Sequence, residues 1–130
     1  MKLGIIGLPQ SGKTTIFNAL TRGNTPTTAS AGRFEVHTAV VEVPDPRVTR
    51  LSEMFKPKKT TYAEIVFSDI PGEHGAEQKG LSRKALEPIR AQDVLCLVLR
   101  AFPNPALESH ADPAAELEAL PWVSGVTIEE

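Results

Sequence analysis

The chain's 130 residues, 41% hydrophobic and 23% charged, suit one globular domain with room for a core. A net charge of −2 argues against a broad basic surface, so direct DNA binding is not expected, and the single cysteine, Cys96, excludes an intramolecular disulfide framework. No stretch nears the roughly 18 apolar residues of a membrane helix, and the run before Gly7 is too short for a signal peptide. The sequence therefore predicts a cytoplasmic protein with no membrane association.

Leu3 to Ile6 is a short apolar run that meets Gly7, as a buried strand would. From Thr14 the spacing turns helical, with Ile16, Phe17, Ala19 and Leu20 recurring before the Arg22-Gly23 stop. Asn24 to Gly32, rich in Thr, Ser, Ala and Gly, is a loop. β-Branched residues return from Phe34 to Val43 as a strand that Pro44-Asp45-Pro46 ends. Pro46 suits a first helical turn, so Arg47 to Phe55 is expected to be a helix with Val48, Leu51 and Phe55 turned inward. Lys56-Pro57-Lys58-Lys59 is the nearest thing to a basic patch and reads as solvated surface.

Thr60 to Ser68 alternates as the next strand, and Asp69-Ile70-Pro71-Gly72 closes it. A polar loop, Glu73 to Gly80, leads into a helix from Leu81 to Ala91 that contains Pro88. Val94 to Leu99 is nearly continuous apolar sequence, which predicts a strand buried on both faces and a buried, structural Cys96. A loop with prolines at 103 and 105 and a short helix near Pro113 to Leu120 follow, and residues 121 to 130 show no clear pattern. The alternation gives an α/β sheet layout.

Function is carried by Gly7-Leu8-Pro9-Gln10-Ser11-Gly12-Lys13-Thr14, which fits Gly-x-x-x-x-Gly-Lys-Ser/Thr between a strand and a helix. Glycines let backbone N–H groups turn toward a phosphate where a Cβ would obstruct them. The following helix aims its positive dipole end at the same anion. Gln10, Ser11, Gly12, Lys13, Thr14 and Thr15 are thus the expected phosphate-binding residues. Lys13 supplies charge to the β- and γ-phosphates, and the Thr14 hydroxyl is placed for Mg²⁺.

Asp69-x-x-Gly72 is weak by itself but ends an apolar strand, where a second Mg²⁺-shell carboxylate and a γ-phosphate-facing amide belong. Asp69 is the expected metal-shell residue beside Thr14, and Gly72 the expected phosphate contact. In the loop after the first helix, Thr25, Thr27, Thr28 and Ser30 are all candidates for a switch ligand, and no pattern singles one out. His74 reads as a solvated loop residue, His37 as lying on an exposed or interfacial strand face, and His110 has no evident partner. No Cys/His spacing suggests zinc.

The stretch Gly7 to Thr21 closely resembles the first motif of YchF-type GTPases of the Obg family. Val40 to Arg47, including Pro44-Asp45-Pro46-Arg47, resembles that family's segment after the first switch. Phe67 to Gly72 looks like its second nucleotide motif, and Ile89 to Phe102 with Asp112-Pro113 is similar to its next helix and strand. The resemblance implies a P-loop NTPase with a Ras-like G domain, three-layer α/β/α, binding GTP or ATP and associating with ribosomes. It also implies that residues 1–120 are a partial G domain, truncated before the last strands and before the base-reading motif, with 121–130 a tail. Arg33 stands where the family has its switch Thr, Glu73 follows the second-motif glycine in place of a hydrophobic residue, and Leu97 replaces a frequent His. Nucleotide binding is therefore expected more than turnover. The alternative is a catalytically inactive interaction fragment that self-associates through an open sheet edge beside Val94 to Leu99.

Overall fold

The computed structural model describes residues 1–27, 34–72, 83–107, 110–118 and 120. Thr28, Ser30, Arg33, Glu73, His74 and the tail 121–130 lie outside the described residues. The elements, in chain order, are β1 (Lys2–Ile6), α1 (Lys13–Thr21), β2 (His37–Glu42), α2 (Pro46–Phe55), β3 (Glu64–Asp69), α3 (Arg83–Arg90), β4 (Val94–Leu97) and α4 (Pro113–Glu118). The strands form one mixed sheet in the order β2-β3-β1-β4. β1 runs parallel to both β3 and β4, while β2 is antiparallel to β3.

Register fixes which side chains share a face. Leu3 pairs with Phe67 and Ala39 with Phe67, so these residues project to one side of the sheet together with Ile5, Val41 and Ile65. α1 covers that side with Phe17, and Val98, just past β4, completes the cluster. The switch of period from two to 3.6 at Gly7–Gly12 thus places an amphipathic helix directly over the strand that precedes it.

Three expectations need correction. Val94 to Leu99 is not a strand buried on both faces: β4 is four residues long at the edge of the described sheet, and Val94 and Leu95 are exposed. Cys96 is accordingly exposed rather than a buried thiol. The apolar run is real, but burial on both faces needs layers packed above and below the strand, and β4 lies at the margin of the described sheet, where among the described residues only β1 pairs with it. On α1, Phe17 is buried whereas Ile16 and Leu20 are exposed, because a lone helix meets the sheet along a narrow stripe.

The third correction concerns α2, where no residue is buried. Val48 is half-buried, but Leu51 and Phe55 face solvent. The helix is inserted between two antiparallel strands and is tied down through its hydroxyl side, where Ser52 meets Thr60 and Thr49 Oγ1 lies 2.9 Å from Tyr62 Oη. Its apolar stripe therefore points away from the sheet. His37, by contrast, lies on the same side of β2 as Ala39 and Val41 and is half-buried.

Candidate functional site

The loop between β1 and α1 is shaped by its backbone. Gly7 has φ +151° and Gly12 φ +97°, conformations that L side chains rarely adopt. A Cβ at Gly7 would collide with the Val98 carbonyl, so the loop leaves the sheet pressed against the chain after β4. Gln10 also sits in the left-handed region, at φ 59°, which costs a non-glycine residue about 1–2 kcal/mol. The Ser11 N–H donates to the Leu8 carbonyl at 3.3 Å and closes the turn.

α1 starts from Gly12 with no side-chain cap. Its first N–H groups, Lys13, Thr14 and Thr15, therefore lack an intrahelical partner and give that end its positive character. Lys13 is buried, and its ammonium donates to the Leu8 carbonyl at 2.7 Å, spanning the loop. Burial pushes its pKa below the ordinary lysine value, opposed by the charges of Asp69 and Glu116.

The two residues expected at a metal are together. Thr14 Oγ1 donates to Asp69 Oδ2 at 2.7 Å, linking the start of α1 to the end of β3. Asp69 is buried, and among the described residues its other oxygen, Oδ1, has no hydrogen-bond partner; the buried Ser11 hydroxyl has none there either. Such orphaned polar atoms cost free energy unless a ligand or ion satisfies them. Gly72 lies against the loop: a Cβ there would fall 2.6 Å from the Gly7 oxygen, 2.7 Å from the Pro9 nitrogen and 2.9 Å from the Leu8 carbonyl carbon. Of the switch candidates, Thr25 has its backbone N–H and carbonyl both bonded to the Asn18 side chain, at 3.0 and 2.7 Å.

Three more residues join the site without any signal from the motif. Asn104 Nδ2 donates to Gln10 Oε1 at 2.9 Å. The Phe102 ring edge lies 3.4 Å from where a Gly12 Cβ would be. Glu116 Oε2 accepts from the Arg100 N–H at 3.2 Å, and the Arg100 guanidinium bonds the carbonyls of Phe102 and His110. This gives His110 a structural neighbour, through its backbone rather than its ring. A strap of chain after β4 is thus fastened beside the loop, and only a fold that returns β4 next to β1 could bring it there.

A glycine-shaped loop between a parallel strand and an uncapped helix, with a lysine across it and a Thr–Asp pair at its foot, defines a P-loop nucleotide-binding domain of the GTPase class. A family model described as 50S ribosome-binding GTPase matches residues 2–121, and the chain belongs to that family. It is 36% identical over 127 residues to the Ribosome-binding ATPase YchF of Bacillus subtilis (strain 168), covering 90% of this chain and 34% of the relative. It is 35% identical over 129 residues to the Ribosome-binding ATPase YchF of Escherichia coli O157:H7, covering 92% and 34%. The structure of the Schizosaccharomyces pombe YchF GTPase matches with a TM-score of 0.61 at 30% identity, covering 91% of this chain and 33% of that one. The chain spans about a third of the length of these relatives.

Proposed function

We propose that this domain binds a purine nucleoside triphosphate together with Mg²⁺, the phosphates lying against Gln10 to Thr15 and Gly72. The observation that carries the reading is the Thr14–Asp69 hydrogen bond at the foot of the loop, with Asp69 Oδ1 and Ser11 Oγ buried beside it and unpartnered among the described residues. Thr14 and Asp69 would hold Mg²⁺, which would supply positive charge to offset that of the phosphates. Among the described residues no group of three His, Cys, Asp or Glu could hold a metal; this fits an ion whose remaining ligands are phosphate and water. Lys13 would exchange the Leu8 carbonyl for phosphate oxygens, a stronger, charge-assisted contact.

The ligand is described as a purine because the relatives are named both ATPase and GTPase. Hydrolysis is proposed to be slow or absent, since Glu73 and Leu97 depart from the residues that the YchF resemblance leads one to expect. Association with ribosomes is the partner reading, on the strength of the relatives' names. The test is Lys13→Ala in isothermal titration with Mg²⁺ present. Loss of a buried charge-assisted contact, roughly 1.5–3 kcal/mol, should weaken triphosphate binding about tenfold or more. Equal affinity of parent and variant would remove the reading.

A further inference from the structure

We infer that the solvent-facing side of α2 is a docking surface for an acidic protein segment that carries apolar anchors. This goes beyond the nucleotide reading and does not rest on it. Leu51 is 53% exposed, Met54 65% and Phe55 75%, a run of apolar residues at i, i+3 and i+4 on one helix face. Among the described residues nothing covers them. Burying such a stripe is what usually holds a ten-residue helix in place; here the opposite side, Thr49 and Ser52, anchors the helix through Tyr62 and Thr60, and the stripe is left free.

Charge selects the partner. Arg50, Lys56, Lys58 and Lys59 are all exposed on or just beyond this helix, in a chain whose net charge is −2. Arg50 precedes Met54 by one turn and also lines an open groove of about 470 Å³ with Pro44, Asp45, Pro46, Thr49 and Glu53. An apolar centre containing Leu, Met and Phe has the composition of a protein interface, and its rim, in which Arg50, Lys56, Lys58 and Lys59 outnumber the exposed Glu53, calls for carboxylates opposite. Ribonucleic acid fits less well: bases stack on aromatic rings, and only Phe55 of the three anchors has one.

The surface is also preorganised. Asp45 caps α2 by accepting from the Arg47 N–H at 2.9 Å, its carboxylate takes the Arg47 guanidinium through two further bonds, and Pro46 opens the first turn. A helix already held in its bound form loses less entropy on association.

The test is fluorescence anisotropy on the whole chain with three probes: a glutamate-rich amphipathic helical peptide with one leucine face, a peptide of the same composition scrambled to lack that face, and an oligouridine. The amphipathic peptide should bind, the scrambled one and the RNA should bind at least about tenfold more weakly, and Phe55→Ala should cost about tenfold or more, as for a central anchor. Replacing Lys56, Lys58 and Lys59 with Ala should weaken binding and flatten its salt dependence. Met54→Glu serves as a second variant, and unchanged melting temperatures show that both fold. The inference is overturned if the scrambled peptide binds equally or no peptide binds. It is overturned in favour of RNA if oligouridine binds tightest and Phe55→Ala abolishes that, and in favour of a second copy if Phe55→Ala instead removes self-association in sedimentation.

Discussion

Gly72→Ala is the sharpest probe of how the site is assembled. Non-bonded contact with a Cβ becomes ordinary at 3.4 Å, and the added methyl would meet the Gly7 oxygen at 2.6 Å, so the overlap is about 0.8 Å. The Pro9 nitrogen and the Leu8 carbonyl carbon crowd the same point at 2.7 and 2.9 Å. All three atoms are backbone, so no side chain can swing away. Either the chain after β3 lifts off the loop or the loop itself shifts. Overpacking of this kind costs about 1–3 kcal/mol. If the strain is relieved by moving the loop, the cost falls on nucleotide affinity, roughly fivefold to 150-fold; if not, it falls on the melting temperature. Titration with a fluorescent triphosphate analogue, paired with thermal unfolding of the nucleotide-free protein, separates the two. Gly4→Ala is the control, because its tightest contact, 2.8 Å, is to the Gln92 side chain. A Gly72→Ala protein with unchanged affinity and unchanged melting temperature would refute the close approach of Gly72 to the loop.

Thr14→Val and Asp69→Asn each disturb the 2.7 Å bond at the foot of the loop; triphosphate affinities measured with Mg²⁺ and with a chelator should converge in both, and a retained Mg²⁺ enhancement would count against the metal assignment. Asp45 is held down to about 2, chiefly by its side-chain bond with Arg47 and then by the Arg47 N–H. Its folded value lies below the ordinary 3.8, so its contribution to stability is present above that pH and is lost as pH falls toward 2. The melting-temperature difference between the parent and Asp45→Asn should vanish over that window, and a difference independent of pH would contradict it. The edge that β4 forms among the described residues should make the chain self-associate at micromolar concentration, and Leu95→Lys should reduce this in sedimentation, since a charge on an edge strand blocks pairing. Native Cys96 should react readily with a thiol reagent, and a slow, unfolding-limited reaction would restore the buried reading.

The order of elements and the phosphate loop were legible because both are local. Gly7, Gly12, Lys13 and Thr14 sit within eight residues, and a cradle of backbone amides at a helix start depends on little else. The switch from strand to helix period marked β1 and α1 to within two residues. Asp69 and Gly72 were legible only by position, since a strand-ending Asp turn has no unique meaning until β3 lies parallel to β1 and brings Asp69 level with Ile5.

What the sequence by itself determined is the chemistry of the loop and the alternation that makes an α/β sheet. Tertiary structure alone decided the rest. Apolar patterning states that a face is fit for burial, not that anything covers it: Phe17 is buried against the sheet, while Leu51 and Phe55 on α2 and Leu95 and Cys96 within β4 stay exposed. Likewise Asn104, Phe102 and Glu116 reach the site over long sequence separations, 94 residues in the case of Asn104 and Gln10. Their placement follows from β4 pairing beside β1, a long-range contact whose closure entropy no local pattern encodes.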